Sequence, residues 1–345
     1  MRAWFRPRWM RRSDGGELLE RFLVSGIVSV LVIRWALALT GYPKLGGGGL
    51  HIAHMLWGGL LMLIALVLLL LFLERRVHRA AAIVAGLGFG TFVDEIGKFI
   101  TSDNDYFFRP AVAIIYVVFV ALFLLTRAVI SERAQTSGEA LANAMDVLQP
   151  GARGRLDRRA RALGLSLLRR ADQADPLVPA LRAWVAQRPA GPATESGLDR
   201  LESLGNRLYE AAIADPLFER AVITIMAVDA AVTVTAAVTL LVLLGTGAGS
   251  ITATVSGVAQ TLSAVVGALL VLRGLPELRR SRFAAYRWFR RGVVVWILVT
   301  QLFVFYHSQL AGVAGLGLHV LTYAVLTYML SHELAHEAAQ SPVGA

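Results

Sequence analysis

Asp94, Glu95 and Lys98 lie in the run GLGFGTFVDEIGKFITSDNDYFFRP, residues 86–110, which opens as a glycine-rich apolar helix suited to a lipid bilayer. Ionisable groups at that depth are costly, so by default they mark a place that binds, relays or reacts. At 3.6 residues per turn, Gly86, Gly90, Asp94 and Lys98 fall on one stripe. Two glycines four apart let a neighbouring helix close on that line, and Asp94 precedes Lys98 in the favourable i to i+4 order for an ion pair. A carboxylate here acts as acid or base, while Lys98 or Arg34 holds an anion. Arg34, Asp94, Glu95 and Lys98 sum to zero charge, so a lock between the first and third helices is the alternative to a working site.

Other polar residues converge on the same side of the predicted membrane. His51 and His54, three apart at the entrance of the second span, share a face. Asp103, Asp105 and Arg109 follow in the loop after Lys98, and Tyr306, His307 and His319 sit near the corresponding ends of later spans. The candidate ligand-binding set is therefore Arg34, His51, His54, Asp94, Glu95, Lys98, Asp103, Asp105 and Arg109, with Asp94, Glu95 and Lys98 as the candidates for chemistry. The sequence calls for no cofactor. A divalent metal held by His51, His54 and a carboxylate is chemically reasonable, since imidazole and carboxylate suit zinc or manganese, but it lacks a third ligand at known spacing. Asp229 lies near the middle of its span with Thr224, Thr233, Thr235 and Thr239, and Gln260 lies in the next; helix packing and a proton or cation path both account for them. His332-Glu333-Leu334-Ala335-His336 matches H-E-x-x-H, the two-histidine zinc pattern, but a polar helix end explains it more simply.

The elements that must position these groups are membrane helices. The chain of 345 residues is 56% hydrophobic with mean hydropathy +0.59, which points to a multi-pass membrane protein. Its net charge of +10 comes from arginines clustered in alternate connecting segments, where they orient the spans, so nucleic acid is not expected as a partner. Lysine occurs only at Lys44 and Lys98. The lack of cysteine excludes disulfides, thiolate metal sites and cysteine nucleophiles.

Residues 1–21 form a basic cytoplasmic N-terminus whose arginines and Trp4, Phe5 and Trp9 suit an anionic inner leaflet. Ala36-Leu37-Ala38 resembles a signal-peptidase site, but Arg34 and the long charged lead-in favour an uncleaved span. Residues 22–130 form a four-span unit: Phe22–Thr40, Leu50–Leu73, the stretch from Gly86, and Pro110–Ile130. Residues 131–216 form a cytosolic helical insert in which Leu156, Ala160, Leu163 and Leu167 share helical spacing, RPAGPATESG reads as a linker, and 197–214 as a further amphipathic helix. Residues 217–331 form a second four-span unit: Phe218–Leu244, Ile251–Leu272, Gly292–Leu310 and Gly312–Leu330, with a basic link over Arg273–Arg291. Residues 332–345 are a cytoplasmic tail. The expected fold is thus an all-α polytopic bundle of about eight transmembrane helices in a bacterial cytoplasmic membrane, both ends inside.

The text LGGGGLHIAHMLWGGLL with GFGTFVDEIGKFITSDNDYFFRPA resembles a group of bacterial integral membrane proteins of no known activity, over about residues 40 to 130. More loosely, His54, Asp94-Glu95, Lys98 and the Asn104-Asp105 loop are similar to the VanZ-like pattern of a span-entrance histidine followed by acids before a polar loop. That family is linked to glycopeptide-antibiotic resistance; here lysine stands where it has glutamine, and Leu50 precedes His51 where it has Asp-Lys. The leading functional expectation is binding, extending to transport, of a small polar or ionic ligand on the extracytoplasmic side. The rivals are an enzyme acting on an envelope lipid or lipid-linked group, and a sensor or assembly protein signalling through the insert.

Overall fold

The computed structural model describes residues 10–40, 53–102, 110–130, 135–154, 156–188, 216–246 and 255–340, with single residues 108, 191, 204, 207 and 211. Among the described residues there is no strand, only an isolated bridge between Asp157 and Gly191. The chain divides into two compact units, Met1–Tyr106 with Val118–Leu198, and Phe107–Val117 with Asp199–Ala345.

The first unit is built on three helices, α1 (Gly15–Thr40), α2 (His54–Leu71) and α3 (Arg75–Asp94), of which α3 packs against both others. Its sequence explains how. Gly86 and Gly90 are one turn apart on one side of α3, while Gly88 is turned about 200° away from Gly86. A Cβ on Gly90 would lie 2.2 Å from the carbonyl oxygen of Gly26, and one on Gly86 2.2 Å from that of Phe22, so this side is in backbone contact with α1. A Cβ on Gly88 would lie 2.7 Å from the carbonyl oxygen of Gly58, and one on Gly58 2.6 Å from that of Gly88, so the opposite side meets α2 equally closely. The expected small-residue stripe is real, and a second, unexpected one backs it. Hydroxyls stitch the α1 contact: Ser29 Oγ donates to the Leu87 carbonyl at 3.0 Å and lies 2.9 Å from Thr91 Oγ1.

At Glu95 α3 stops. This residue (φ −85°, ψ 7°) joins it to a short α4 (Ile96–Ile100), and α5 (Pro110–Ile130) follows. The insert contains α6 (Ser137–Leu148), a 3₁₀ turn at Gln149–Arg153, α7 (Arg158–Arg170) and α8 (Leu177–Ala186) around Ala144, Leu148, Leu156, Leu168, Val178 and Val185. Leu163 does not join this core and is 43% exposed. The Asp157 carboxylate caps α7 by accepting from the Ala160 amide at 2.7 Å, and this start turns Gly164, Leu167 and Leu168 inward, with Leu148 filling the space a Cβ on Gly164 would take. Of the helix expected over 197–214, only Leu204, Arg207 and Ala211 are described, all helical; most of the linker before it lies outside the described residues.

The insert is tied to the starts of α1 and α3 by polar contacts. Asn143 accepts from the Ser13 amide at 2.6 Å and donates to the Arg11 carbonyl at 2.8 Å. Arg75, at the start of α3, bridges Asp146 at 2.8 Å and Asp14 at 3.2 Å. Burial alone would raise the Asp14 carboxyl, but the Arg12 hydrogen bond, the charges of Arg75 and Arg12, and its own amide outweigh it and leave it lowered. Glu139 closes a capping box with Thr136 and also receives Arg11 at 3.3 Å.

The second unit contains α9 (Pro216–Gly245), α10 (Val255–Gly274), α11 (Arg282–Val295), one π turn (Trp296–Thr300), α12 (Gln301–Ser308) and α13 (Val313–Gln340). Much of the arginine-rich stretch read as a link is helix, starting ten residues before the expected span. Ser281 caps it, accepting from the Ala284 amide at 3.2 Å, and Ala285, Tyr286, Phe289 and Val293 bury one stripe while the arginines take the rest. Glycines again permit contact: a Cβ on Gly292 would lie 2.7 Å from the Gly267 carbonyl.

Among the described residues, six helical segments are long and apolar enough to cross a membrane: His54–Leu71, Pro110–Ala128, Leu217–Thr239, Val255–Arg279, Arg282–Ser308 and Val313–Leu330. Their outward faces are apolar, as with Leu56, Leu60, Leu63, Leu66 and Leu70 on α2, a surface suited to lipid and not to water. They correspond to six of the eight expected spans, and the other two stretches are helical within α1 and α3.

Two outcomes are expected. Gly90→Ala should destabilise the folded chain by about 1–3 kcal/mol through overpacking, whereas Gly59→Ala, whose Cβ meets nothing within 4 Å, should be neutral; thermal unfolding in detergent measures both. The Glu139 carboxyl is held down to about 2 from its usual 4.5, first by the Thr136 amide and then, against burial, by Arg11. A lowered carboxyl adds stability that is full above its unfolded value and lost as pH falls through its folded one, so docking should weaken from about 4.5 toward 2. Circular dichroism melts across that range should show this loss in the wild type and less of it in Glu139→Gln.

Candidate functional site

Three packed helices and the break after α3 bring five of the expected site residues together. Arg34, on the buried side of α1 two turns beyond Gly26, donates from Nε to Asp94 Oδ1 at 2.5 Å and from Nη2 to the Asp94 carbonyl at 3.2 Å. It thereby satisfies both the carboxylate and a carbonyl at the end of α3, where the helix dipole disfavours an acid. His54, the first residue of α2, lies between the acids, with Nε2 3.2 Å from Asp94 Oδ2 and Nδ1 3.5 Å from Glu95 Oε1. Glu95 also accepts from the Met55 amide at 2.8 Å, and the N-cap of α2, Ala53, offers no side chain of its own, so Glu95 serves as the cap from another helix. Lys98 on α4 donates to Glu95 Oε1.

The stripe expected to pair Asp94 with Lys98 is interrupted. Because α3 ends at Asp94 and Glu95 turns the chain, Lys98 is placed on Glu95, three residues back, while Asp94 takes Arg34. Asp94 and Glu95 are both 0% exposed, whereas the side chains of His54 and Lys98 are 20% and 21% exposed. The acids form the floor and the two basic groups the mouth.

The imidazole has a distinct role here. A neutral ring donates to one of the flanking carboxylates only, and a protonated ring donates to both. With a neutral ring the five groups sum to zero charge, and with a protonated ring to +1. The two acids meet opposite nitrogens of the His54 ring, and among the described residues no group of three ligating side chains converges. His51, Asp103, Asp105 and Arg109 lie outside the described residues.

Sequence reasoning passed over Ser25, Ser29 and Thr91, which line the α1–α3 contact leading to Arg34 and Asp94. Ser25-Gly26 and Ser29, small residues one turn apart upstream of Arg34, carried the signal. It could not have found the Met55 amide, since a backbone group has no signature in sequence. Tyr306, His307 and His319 belong to the second unit; Tyr306 and His307 form an edge-on pair at 5.3 Å. H-E-x-x-H lies within α13, with the side chains of His332 and His336 outside the described set.

No family model, no curated protein and no solved structure matches this chain. The chemistry of the site is what indicates function.

Arg34→Leu leaves Asp94 buried without its guanidinium and should cost about 3–5 kcal/mol, while Arg34→Leu with Asp94→Leu should cost less than that single change. Denaturation in detergent measures the cycle; costs that simply add would show that the two groups are not coupled.

Proposed function

We propose that this chain is an eight-span protein of a bacterial cytoplasmic membrane that binds a small polar or ionic ligand at the Arg34, His54, Asp94, Glu95 and Lys98 network on the extracytoplasmic side. Transport of that ligand is the extended form of the same proposal. The observation that carries it is a pair of fully buried acids whose basic partners include two that remain partly open, His54 and Lys98. A lock between helices needs only the pairs Arg34–Asp94 and Glu95–Lys98. His54 adds a titratable bridge at the mouth, which serves a ligand and is superfluous to a lock. The mouth is basic, so the ligand group it suits is an anion, the carboxylate or phosphate of a solute or of a lipid headgroup.

Orientation is supported by the two ends of α3. Its 20 residues span about 30 Å, with Arg75, Arg76 and Arg79 at one end and the acids at the other, which by the positive-inside rule puts the site outside and the 131–216 insert and both termini inside. The VanZ-like comparison enters through one feature, the contact of His54 with both acids.

A sensor reading has its own supporting observation. The insert docks through Asp14 and Arg75 onto the same α1 and α3 that carry Arg34 and Asp94 at their far ends. A ligand that shifts α1 against α3 would be felt at that contact.

Native mass spectrometry of the purified full chain should reveal a bound anion or lipid, and Asp94→Asn and Glu95→Gln should each retain it at least about tenfold less well while accumulating normally in the membrane. Unchanged retention in both variants reduces the network to a lock.

A further inference from the structure

Seven arginines and one acid lie between Arg273 and Arg291, where α10 ends and α11 begins. Two of the seven have carboxylates: Arg273 Nη1 is 3.4 Å from Glu277 Oε1, and Arg282 Nη1 is 3.6 Å from Glu219 Oε1. Among the described residues the other five, Arg279, Arg280, Arg287, Arg290 and Arg291, meet no acid. A solvated charge run needs no partner, but these arginines stand at the ends of two apolar helices. Arg287 and Arg291 are one turn apart, just before the apolar run from Gly292, so they differ in depth by about 6 Å, the thickness of a headgroup layer.

Trp288 gathers two of these cations from different helices. The guanidinium of Arg291 lies over its ring at 4.8 Å, and that of Arg273, in the last turn of α10, at 5.8 Å. The indole is held in place by close packing: a Cβ on Gly274 would lie 2.7 Å from the Phe289 ring and 3.0 Å from Trp288 Cβ, so α10 ends directly against α11. Both arginines nevertheless remain exposed, the Arg273 side chain by 60%. Preceding Arg273 on α10, Leu262, Val266 and Leu269 follow one another at spacings of four and three, so all four residues share a stripe. The three apolar side chains are half or more exposed. An outward apolar stripe that ends in a cation steadied on an indole has the polarity of an amphiphile with an anionic head.

We propose that Arg273, Trp288 and Arg291 form a binding site for the phosphate of an anionic phospholipid, separate from the network at Asp94 and Glu95. The two guanidiniums donate to phosphate oxygens, a pairing their planar forks suit better than an ammonium would. The acyl chain covers Leu262, Val266 and Leu269, and the indole takes the boundary level that tryptophan favours. Glu277 engages only Arg273, and the surrounding surplus of arginine repels the ammonium of a zwitterionic headgroup, so the site prefers a lipid of net negative charge. By the positive-inside rule this is the inner leaflet, where anionic lipids are found. Inorganic phosphate shares the recognised group but lacks the chain.

The test places the full chain in phosphatidylcholine nanodiscs with a trace of phosphatidylglycerol carrying a photoreactive acyl chain, and maps crosslinks by peptide mass spectrometry. The peptide holding Leu262, Val266 and Leu269 should take up this lipid at least about fivefold more than an equal trace of photoreactive phosphatidylcholine. Arg273→Gln with Arg291→Gln should remove that preference. Arg279→Gln with Arg280→Gln, which deletes the same charge nearby, should change it by less than about twofold. Excess inorganic phosphate, with ionic strength held constant by chloride, should leave the labelling as it was. Equal labelling by the two lipids, equal losses in the two double variants, or loss of labelling to inorganic phosphate overturns the proposal. If the first double variant does not accumulate, the wild type decides through the preference between the two lipids at that peptide.

Discussion

Two carboxylates with no access to water persist as ions only where donors and counter-charges meet them, and this requirement governs the first unit. Asp94 and Glu95 are adjacent in the chain and would point about 100° apart on a continuous helix, so donors from more than one element meet them. α3 ends between them, α1 brings a guanidinium to one, and α2 brings an imidazole to both and a backbone amide to the other. Those donors arrive only because α1 and α2 approach α3 to backbone contact, and the glycines on opposite sides of α3 are what permit that approach. A methyl group on either side would hold the donors away from acids that cannot be solvated.

The same rods carry a second polar assembly at their other ends. There the acids Asp14, Asp146 and Glu139 lie beside arginines from the N-terminal segment and α3, several of them partly exposed. Exposed pairs of this kind contribute little individually, but Arg75 holds two acids and a serine at once and is only 13% exposed, which gives the contact a defined register. Helices too closely packed to slide independently thus join the buried acids to the helical insert, a physical basis for coupling between them.

The second unit solves burial differently. Its core is aromatic and aliphatic, with Trp296 set against Gly267 and Phe289 against Gly274, and its hydroxyls are consumed within or between helices. Against that background the His319 ring stacks on Trp296 while its buried Nδ1 has no hydrogen-bond partner.

The sequence by itself determined the helical class and the apolar runs, read as eight spans, six of which are helices long and apolar enough to cross a membrane among the described residues, and it singled out Asp94, Glu95, Lys98 and Arg34, because hydrophobic runs and the cost of intramembrane charge are properties of composition and local spacing. It also identified Gly86 and Gly90 as a contact line. Tertiary structure decided who pairs with whom. Helical periodicity assigns Lys98 to Asp94, but the helix breaks at Glu95, whose carboxylate accepts from an amide of α2 that no local pattern encodes, and Lys98 pairs with Glu95 instead. Leu163 shares the helical spacing of Leu156, Ala160 and Leu167 but is left outside the core, with Leu148 instead filling the space over Gly164. Spacing along the chain prescribes faces; which face is buried, and against which partner, depends on groups brought together only by folding.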